Sequence, residues 1–243
     1  MSEVTLSRFL SLCTRRLFPE PFSIEKALRE VGFRYAIGVD EAGTGAFFGP
    51  IHAAAVLFDL CDLSNYFEVK ESKQLTEKKR EELFWKIIET VPRYAIAEVN
   101  VREIEAFRNV QRAGALARWR AVTQLVSSCD SHPTVLLIDH FPMKDSPFPV
   151  LAISHGDELV QCIAYASILA KVTRDWVVKA IAQLPDFACY GIDSNKGYRC
   201  KAHWNAIRRY GLSPLHRKHM PELERLLSGR EVQDVQHCET CVV

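Results

Sequence analysis

Apolar positions along the chain follow two periodicities. Runs from Tyr35 to Val39, His52 to Leu60 and Arg93 to Val99, then TVLLIDHF after Pro133 and the short PFPVLAIS, predict five strands. TVLLID is unbroken, as a central strand buried on both faces requires. Helical spacing appears between them. Thr76 to Val91 carries Leu83, Phe84, Ile87 and Ile88 as a buried stripe, with Thr76 placed as the N-cap, and a further helix spans about Val110 to Ser127. The longest helical pattern is GDELVQCIAYASILAKVTRDWVVKAIAQL, in which Leu159, Ile163, Ala166, Ala170 and Val177 lie near one face. Residues 1 to 34 read as one or two amphipathic helices, with Leu6, Phe9, Leu10, Cys13 and Leu17 at helical spacing and Pro19 and Pro21 ending the pattern. Strands with interspersed helices predict a mixed α/β domain, and no internal repeat interrupts it.

Composition narrows this picture without changing it. The 243 residues hold 31 basic and 30 acidic side chains, so any nucleic-acid surface has to be a local patch and not a whole-molecule field. Basic clusters occur at Lys78-Lys79-Arg80, among Arg108, Arg112, Arg118 and Arg120, and from Lys196 to Lys218, where Tyr198, Trp204 and Tyr210 interleave with the cations. Aromatic and basic residues together favour nucleic acid for the last cluster. Six of the cysteines are scattered singly, and only Cys238 and Cys241 form a close pair, so the chain is expected in a reducing compartment, the cytoplasm. No stretch reaches the ~18 apolar residues of a membrane span.

Candidate chemistry concentrates in Ile37 to Ile51, IGVDEAGTGAFFGPI. A strand there delivers Asp40 and Glu41 to a turn with Gly43, Gly45, Gly49 and Pro50, glycines that permit positive φ and close approach to a ligand. A tight hairpin with two solvated acids is the plainer alternative. Asp139 ends the fourth strand in the same way, and Asp157 stands in the first turn of the long helix, where an N-cap is the competing reading. Four carboxylates that a fold can bring together suit two hard divalent cations, which clamp the attacking and leaving oxygens of a phosphodiester displacement. A phosphate-loop hydrolase is excluded, because no lysine followed by serine or threonine comes after Gly49.

Six blocks recur in the order of a known family: IGVDEAGTGAFFGPI, ESKQLTEKKREELFWKI, RNVQRAGALARW, LLIDHF, GDELVQCIAYASILAKVTRD and NKGYRCKAHWNAIRRYGLSPLHRKHM. From Tyr35 to Met220 the chain resembles the type 2 ribonucleases H, ribonuclease HII. The resemblance implies a ribonuclease H-like mixed sheet flanked by helices with a C-terminal helical part. Residues 35 to 228 would be the catalytic domain, 1 to 34 an N-terminal extension and 229 to 243 a tail. It implies a monomeric endoribonuclease that cuts the RNA strand of RNA–DNA hybrids, and cuts 5′ to ribonucleotides embedded in duplex DNA, with two Mg2+ or Mn2+ ions on Asp40, Glu41, Asp139 and Asp157. It also implies that Gly43, Thr44 and Gly45 read the 2′-hydroxyl through backbone groups, that Tyr198 stacks on the neighbouring sugar, and that Lys73 and Lys171 lie near phosphates.

Some positions depart from that pattern. Thr44 stands where type 2 enzymes generally carry arginine, and the DHF after the fourth strand is closer to type 3 ribonucleases H, which act on hybrids. Against type 3 stand the short N-terminal extension and the aspartate at position 157. A hybrid-binding module without catalysis is the remaining alternative, and the intact carboxylates argue against it, since four negative charges would only repel a phosphate backbone.

Overall fold

The five apolar runs form one mixed sheet. Its strands are β1 (Tyr35–Ala42), β2 (Ile51–Asp59), β3 (Tyr94–Val99), β4 (Thr134–Asp139) and β5 (Val150–Ile153), in the spatial order β3-β2-β1-β4-β5. The computed structural model describes residues 20–69, 75–129, 131–139, 143 and 146–229. β1 and β4 are parallel with Val39 opposite Ile138, and β4 and β5 are parallel with Asp139 opposite Ile153. Parallel pairing needs crossover connections, which the helical segments of the sequence supply.

The helices are α1 (Ser23–Glu30), α2 (Glu77–Thr90), α3 (Val101–Phe107), α4 (Val110–Thr123), α5 (Gly156–Leu159), α6 (Gln161–Ala182), α7 (Pro185–Ala188), α8 (Ile192–Asn195), α9 (Lys201–Tyr210) and α10 (Pro221–Leu227). Thr76 caps α2 as its sequence predicts, accepting the Lys79 N–H at 3.3 Å. The helix α3 has a signal that the apolar pattern alone does not carry. Asn100 and Glu103 form a reciprocal capping box, at 3.0 and 3.1 Å, over a segment only seven residues long.

Two compact units share this chain. The first comprises Met1–Glu41, Ala53–Ala97 and Arg118–Ala170, and the second Ala42–His52, Glu98–Ala117 and Lys171–Val243. In the first, Ile37, Val39, Leu136, Leu137 and Ile138 of the central strands are fully buried, as are Ile163, Ala166 and Leu169 of α6 and Ile24 and Leu28 of α1. In the second, Phe47, Phe48, Val178, Tyr190, Ile192, Trp204, Ile207 and Leu223 make a separate apolar core. Among the described residues no helix is long and apolar enough to cross a membrane.

The long helical pattern from Gly156 is broken once. Val160 takes an extended conformation (φ −122°, ψ 117°), which separates the short α5 from α6. The apolar stripe shifts by one residue at each end as a result: Val160 and Val178 are buried, while Leu159 and Val177 are partly exposed. Of the N-terminal helices, only α1 falls within the described residues. The Leu6 to Leu17 segment, Lys73, the residues after Asp139 in DHF, and the Cys238–Cys241 pair lie outside them.

The start of α6 has no polar side chain of its own before it, because Val160 cannot cap. Glu25 of α1 does this from a distance: its Oε1 accepts the Cys162 N–H at 3.2 Å. The Glu25 carboxyl is wholly buried, and burial pushes it up to about 7 although the amides at the start of α6 pull the other way. A carboxyl raised from 4.5 contributes stability that is complete below pH 4.5 and lost as pH rises through about 7. Glu25→Gln, which stays neutral, is therefore expected to lose less stability than the parent chain between about pH 5 and 8, read from urea-unfolding midpoints.

Candidate active site

Strand alternation sends Asp40 and Glu41 to opposite faces of the sheet. Gly38 shares the Asp40 face, and a Cβ built there would fall 2.2 Å from the Cys162 carbonyl carbon. Only glycine lets α6 approach β1 so closely. That approach brings the Ser167 hydroxyl within hydrogen-bonding reach of Asp40. On the other face Glu41 lies 3.6 Å from Nη1 of Arg118, a buried guanidinium on α4.

The β1–β4 pairing runs to Val39 opposite Ile138, and Asp40 and Asp139 are the next residue on each strand. Asp139 accepts the Gly156 N–H at 2.9 Å, which ties the end of β4 to the first turn of α5 and hence to buried Asp157. Asp157 thus belongs to the four-residue helix α5 and does not cap the long helix α6, because Val160 intervenes. The Asp40 carboxyl is pushed up to about 8, by desolvation first, then by the Glu41 carboxylate and, in smaller part, by Asp157. This mutual repulsion among oxygen donors is what a hard divalent cation relieves, so the donor set fits Mg2+ or Mn2+. Among the described residues no three His, Cys, Asp or Glu side chains are gathered closely enough to enclose an ion by themselves. Water and phosphate oxygens complete the coordination of such ions at open sites.

The second unit holds the glycine turn and Tyr198. Gly43 and Gly49 take positive φ, at 98° and 81°, whereas Gly45 does not and a Cβ there would meet nothing within 4 Å. Gly43 is doubly constrained, since its Cβ would sit 2.1 Å from Nε of Arg174. Arg174 and Arg217 are both fully buried and bond to backbone carbonyls. Arg174 donates to Pro50, Phe48 and Lys196 at 3.1 to 3.2 Å. Arg217 donates to Gly43 at 2.6 Å, Thr44 at 3.3 Å, Gly49 at 2.7 and 3.0 Å, and Pro50 at 3.1 Å. Burial and the like charge of Arg174 bring the Arg217 guanidinium down to about 9, so it stays charged at neutral pH. The Tyr198 ring lies 4.8 Å from the Arg174 guanidinium and 4.9 Å from the Lys171 ammonium, which also pairs with Asp175 at 3.0 Å.

The basic clusters of the sequence are therefore only partly surface. Arg118 faces Glu41, Arg217 holds the turn, and Trp204 is buried with Ile207 in the apolar face of α9, so it offers no platform for a base. Tyr210 remains exposed. Ser167, Arg118, Arg174 and Arg217 all sit inside recognisable blocks, yet nothing in their spacing marks them as support for a site. Their roles arise from contacts with residues far away in sequence.

A buried histidine pair supports Tyr198. The Ser213 N–H donates to His216 Nδ1 at 2.9 Å, which leaves His216 Nε2–H to donate to His203 Nε2 at 3.1 Å. His203 Nδ1–H then donates to the Tyr198 carbonyl at 3.0 Å. One tautomer of each ring satisfies the whole chain. Burial lowers His203 to about 4, and burial together with His203 lowers His216 to about 3. Groups depressed in this way contribute stability that is complete above pH 6.5 and lost as pH falls through those values, because the unfolded chain binds protons that the fold excludes. The expected result in an NMR titration is that neither imidazole changes its nitrogen shifts between about pH 8 and 5.

The family profile described as Ribonuclease HII matches residues 37–225. A curated ribonuclease HII of Coxiella burnetii (strain Dugway 5J108-111) is 44% identical over 190 residues, covering 78% of this chain and 89% of that one. One of Corynebacterium jeikeium is 37% identical over 195 residues, covering 80% and 90%. Among solved structures, ribonuclease H2 of Pyrococcus horikoshii superposes with TM-score 0.62 at 24% identity, covering 80% of this chain and 98% of that one. Bst-RNase HIII in complex with Mn2+ gives TM-score 0.60 at 22% identity, covering 86% and 73%. These two structures share the fold.

Proposed function

The chain belongs to the ribonuclease HII family and is an endoribonuclease of the ribonuclease H class, and on that premise we propose that it nicks duplex DNA 5′ to a single embedded ribonucleotide as well as cutting RNA–DNA hybrids. The observation that supports the catalytic half is that Asp40 and Asp139 each follow the last paired residues, Val39 and Ile138, of two parallel strands, and that Asp139 accepts the Gly156 N–H next to Asp157. Ligand sites in open α/β sheets lie beyond such carboxyl ends. Asp40, Glu41, Asp139 and Asp157 would hold two divalent ions, Mg2+ as the donor chemistry allows or Mn2+ as in the Bst-RNase HIII complex, and these would supply Lewis-acid stabilisation of the attacking and leaving oxygens. The products carry 3′-hydroxyl and 5′-phosphate ends.

The chain's own residues do the remaining work. Ser167 holds the Asp40 carboxyl in orientation, and Arg118 offsets the Glu41 charge so that four acids tolerate one another. Gly43, Thr44 and Gly45 present backbone to the 2′-hydroxyl, the group that separates RNA from DNA. Tyr198, fixed by His203 and flanked by Arg174 and Lys171, stacks on the adjoining deoxyribose. All four carboxylates come from one chain, which supports action as a monomer.

A nicking assay on a duplex with one embedded ribonucleotide, run with Mg2+, Mn2+ and chelator, tests this reading. Cleavage is expected with either ion and none with chelator. Asp40→Asn keeps shape but removes a charged ligand, so it is expected to abolish turnover while leaving hybrid binding within about threefold. Cleavage restricted to runs of several ribonucleotides would instead assign the chain the substrate range of type 3 enzymes.

Gly45 gives a separate check. The fold leaves room for a side chain there, so Gly45→Ala is expected to keep the parent melting temperature within about 2 °C while cleavage at a single ribonucleotide falls at least about tenfold. Normal cleavage by this variant would remove Gly45 from close contact with substrate.

A further inference from the structure

Two guanidinium groups support the turn from Gly43 to Pro50, and their partners are main-chain carbonyls. A buried guanidinium has five N–H donors in a rigid fork and is costly to leave unpaired, so it dictates where nearby carbonyls point. Nη1 of Arg217 is bonded to both the Gly43 and the Thr44 carbonyl. In a trans peptide the N–H lies opposite the C=O, and the described chain has no cis peptide. Turning the Gly43 and Thr44 carbonyls toward Arg217 therefore turns the amides of Thr44 and Gly45 away from it. Among the described residues neither amide has a hydrogen-bond partner. Arg174 fills the space that a Gly43 side chain would need, so the peptide before Thr44 is held from both sides.

We propose that Arg217 is a positioning residue for ribose recognition: its fork holds the Gly43 and Thr44 carbonyls inward, so that the Thr44 and Gly45 amides project outward, preset for the 2′-hydroxyl. This rests on the reading of the turn given above. It also explains how threonine is accommodated at position 44, since the recognising groups belong to the backbone and their orientation is set from the interior. Lysine at position 217 keeps the charge, but one ammonium cannot hold the Gly43 and Thr44 carbonyls and also the Gly49 and Pro50 carbonyls that Nε and Nη2 of the arginine bind, so the two peptide planes lose their fixed orientation.

The test compares two duplexes identical except for one 2′-hydroxyl, with binding measured in chelator so that neither is cut. The parent chain is expected to bind the ribonucleotide duplex about two- to tenfold more tightly, the range of one neutral hydrogen bond. Arg217→Lys is expected to bind both duplexes equally, with affinity for the all-DNA duplex unchanged within about twofold. A variant that keeps the preference while its melting temperature falls shows Arg217 to be packing only, and overturns the proposal. Should Arg217→Lys fail to fold, amide hydrogen exchange in the parent chain decides. Fast exchange at Thr44 and Gly45, slowed by the ribonucleotide duplex and not by the all-DNA duplex, supports outward amides, and protection in the free protein overturns them. A parent chain that shows no preference and does not cut at the ribonucleotide overturns the reading of the turn itself, and Arg217's role with it.

Discussion

The close approach of helix α6 to strand β1 at Gly38 is the constraint on which the setting of Asp40 depends. Any side chain at that position would collide with the Cys162 backbone and lift the helix. Ser167, five residues further along α6, would then lose Asp40, and the stripe of Ile163, Ala166 and Leu169 would lose its seat on the central strands. Small residues along the helix and the missing Cβ on the strand are two halves of one contact. Glu25 secures the same helix at its first turn, so α6 is fixed along its length before any charge is placed.

Register completes what that contact begins. Because side chains alternate along a strand, a slip of one residue between β1 and β4 would exchange Asp40 for Val39 on the α6 face. The apolar runs AIGV and VLLI prevent that slip by burying both strands from Ala36 to Val39 and Val135 to Ile138. The acids are thus tolerated because they come where the buried run stops, with Arg118 on one side and Ser167 on the other sharing their charge.

Much of this was legible in the chain. Five apolar runs gave five strands, Thr76 gave a cap, and the ordered blocks gave the family. The break at Val160 was not, because a valine in a continuous apolar pattern carries no mark of an extended backbone, and Asp157 was therefore set on the wrong helix. The basic clusters misled for a related reason. Linear spacing shows that Arg118, Arg217 and Trp204 are near other cations, but burial is decided by distant partners: Glu41 for the first, the turn carbonyls for the second, Phe47 and its apolar core for the third. Asn100 and Glu103, by contrast, marked α3 plainly through their three-residue spacing, and an apolar-pattern reading passed over a helix too short to show periodicity.

The clamp on the glycine turn also orders events in time. The Gly43 carbonyl has one local donor, the Ala46 N–H at 3.2 Å, but Arg217 stands 174 residues beyond it. During synthesis β1 emerges early, and domains begin to organise from the N-terminal side. The turn that follows β1 must wait for nearly the whole chain before Arg217 reaches its carbonyls. The hold of Arg217 on the turn is therefore among the last contacts of the fold that synthesis makes possible.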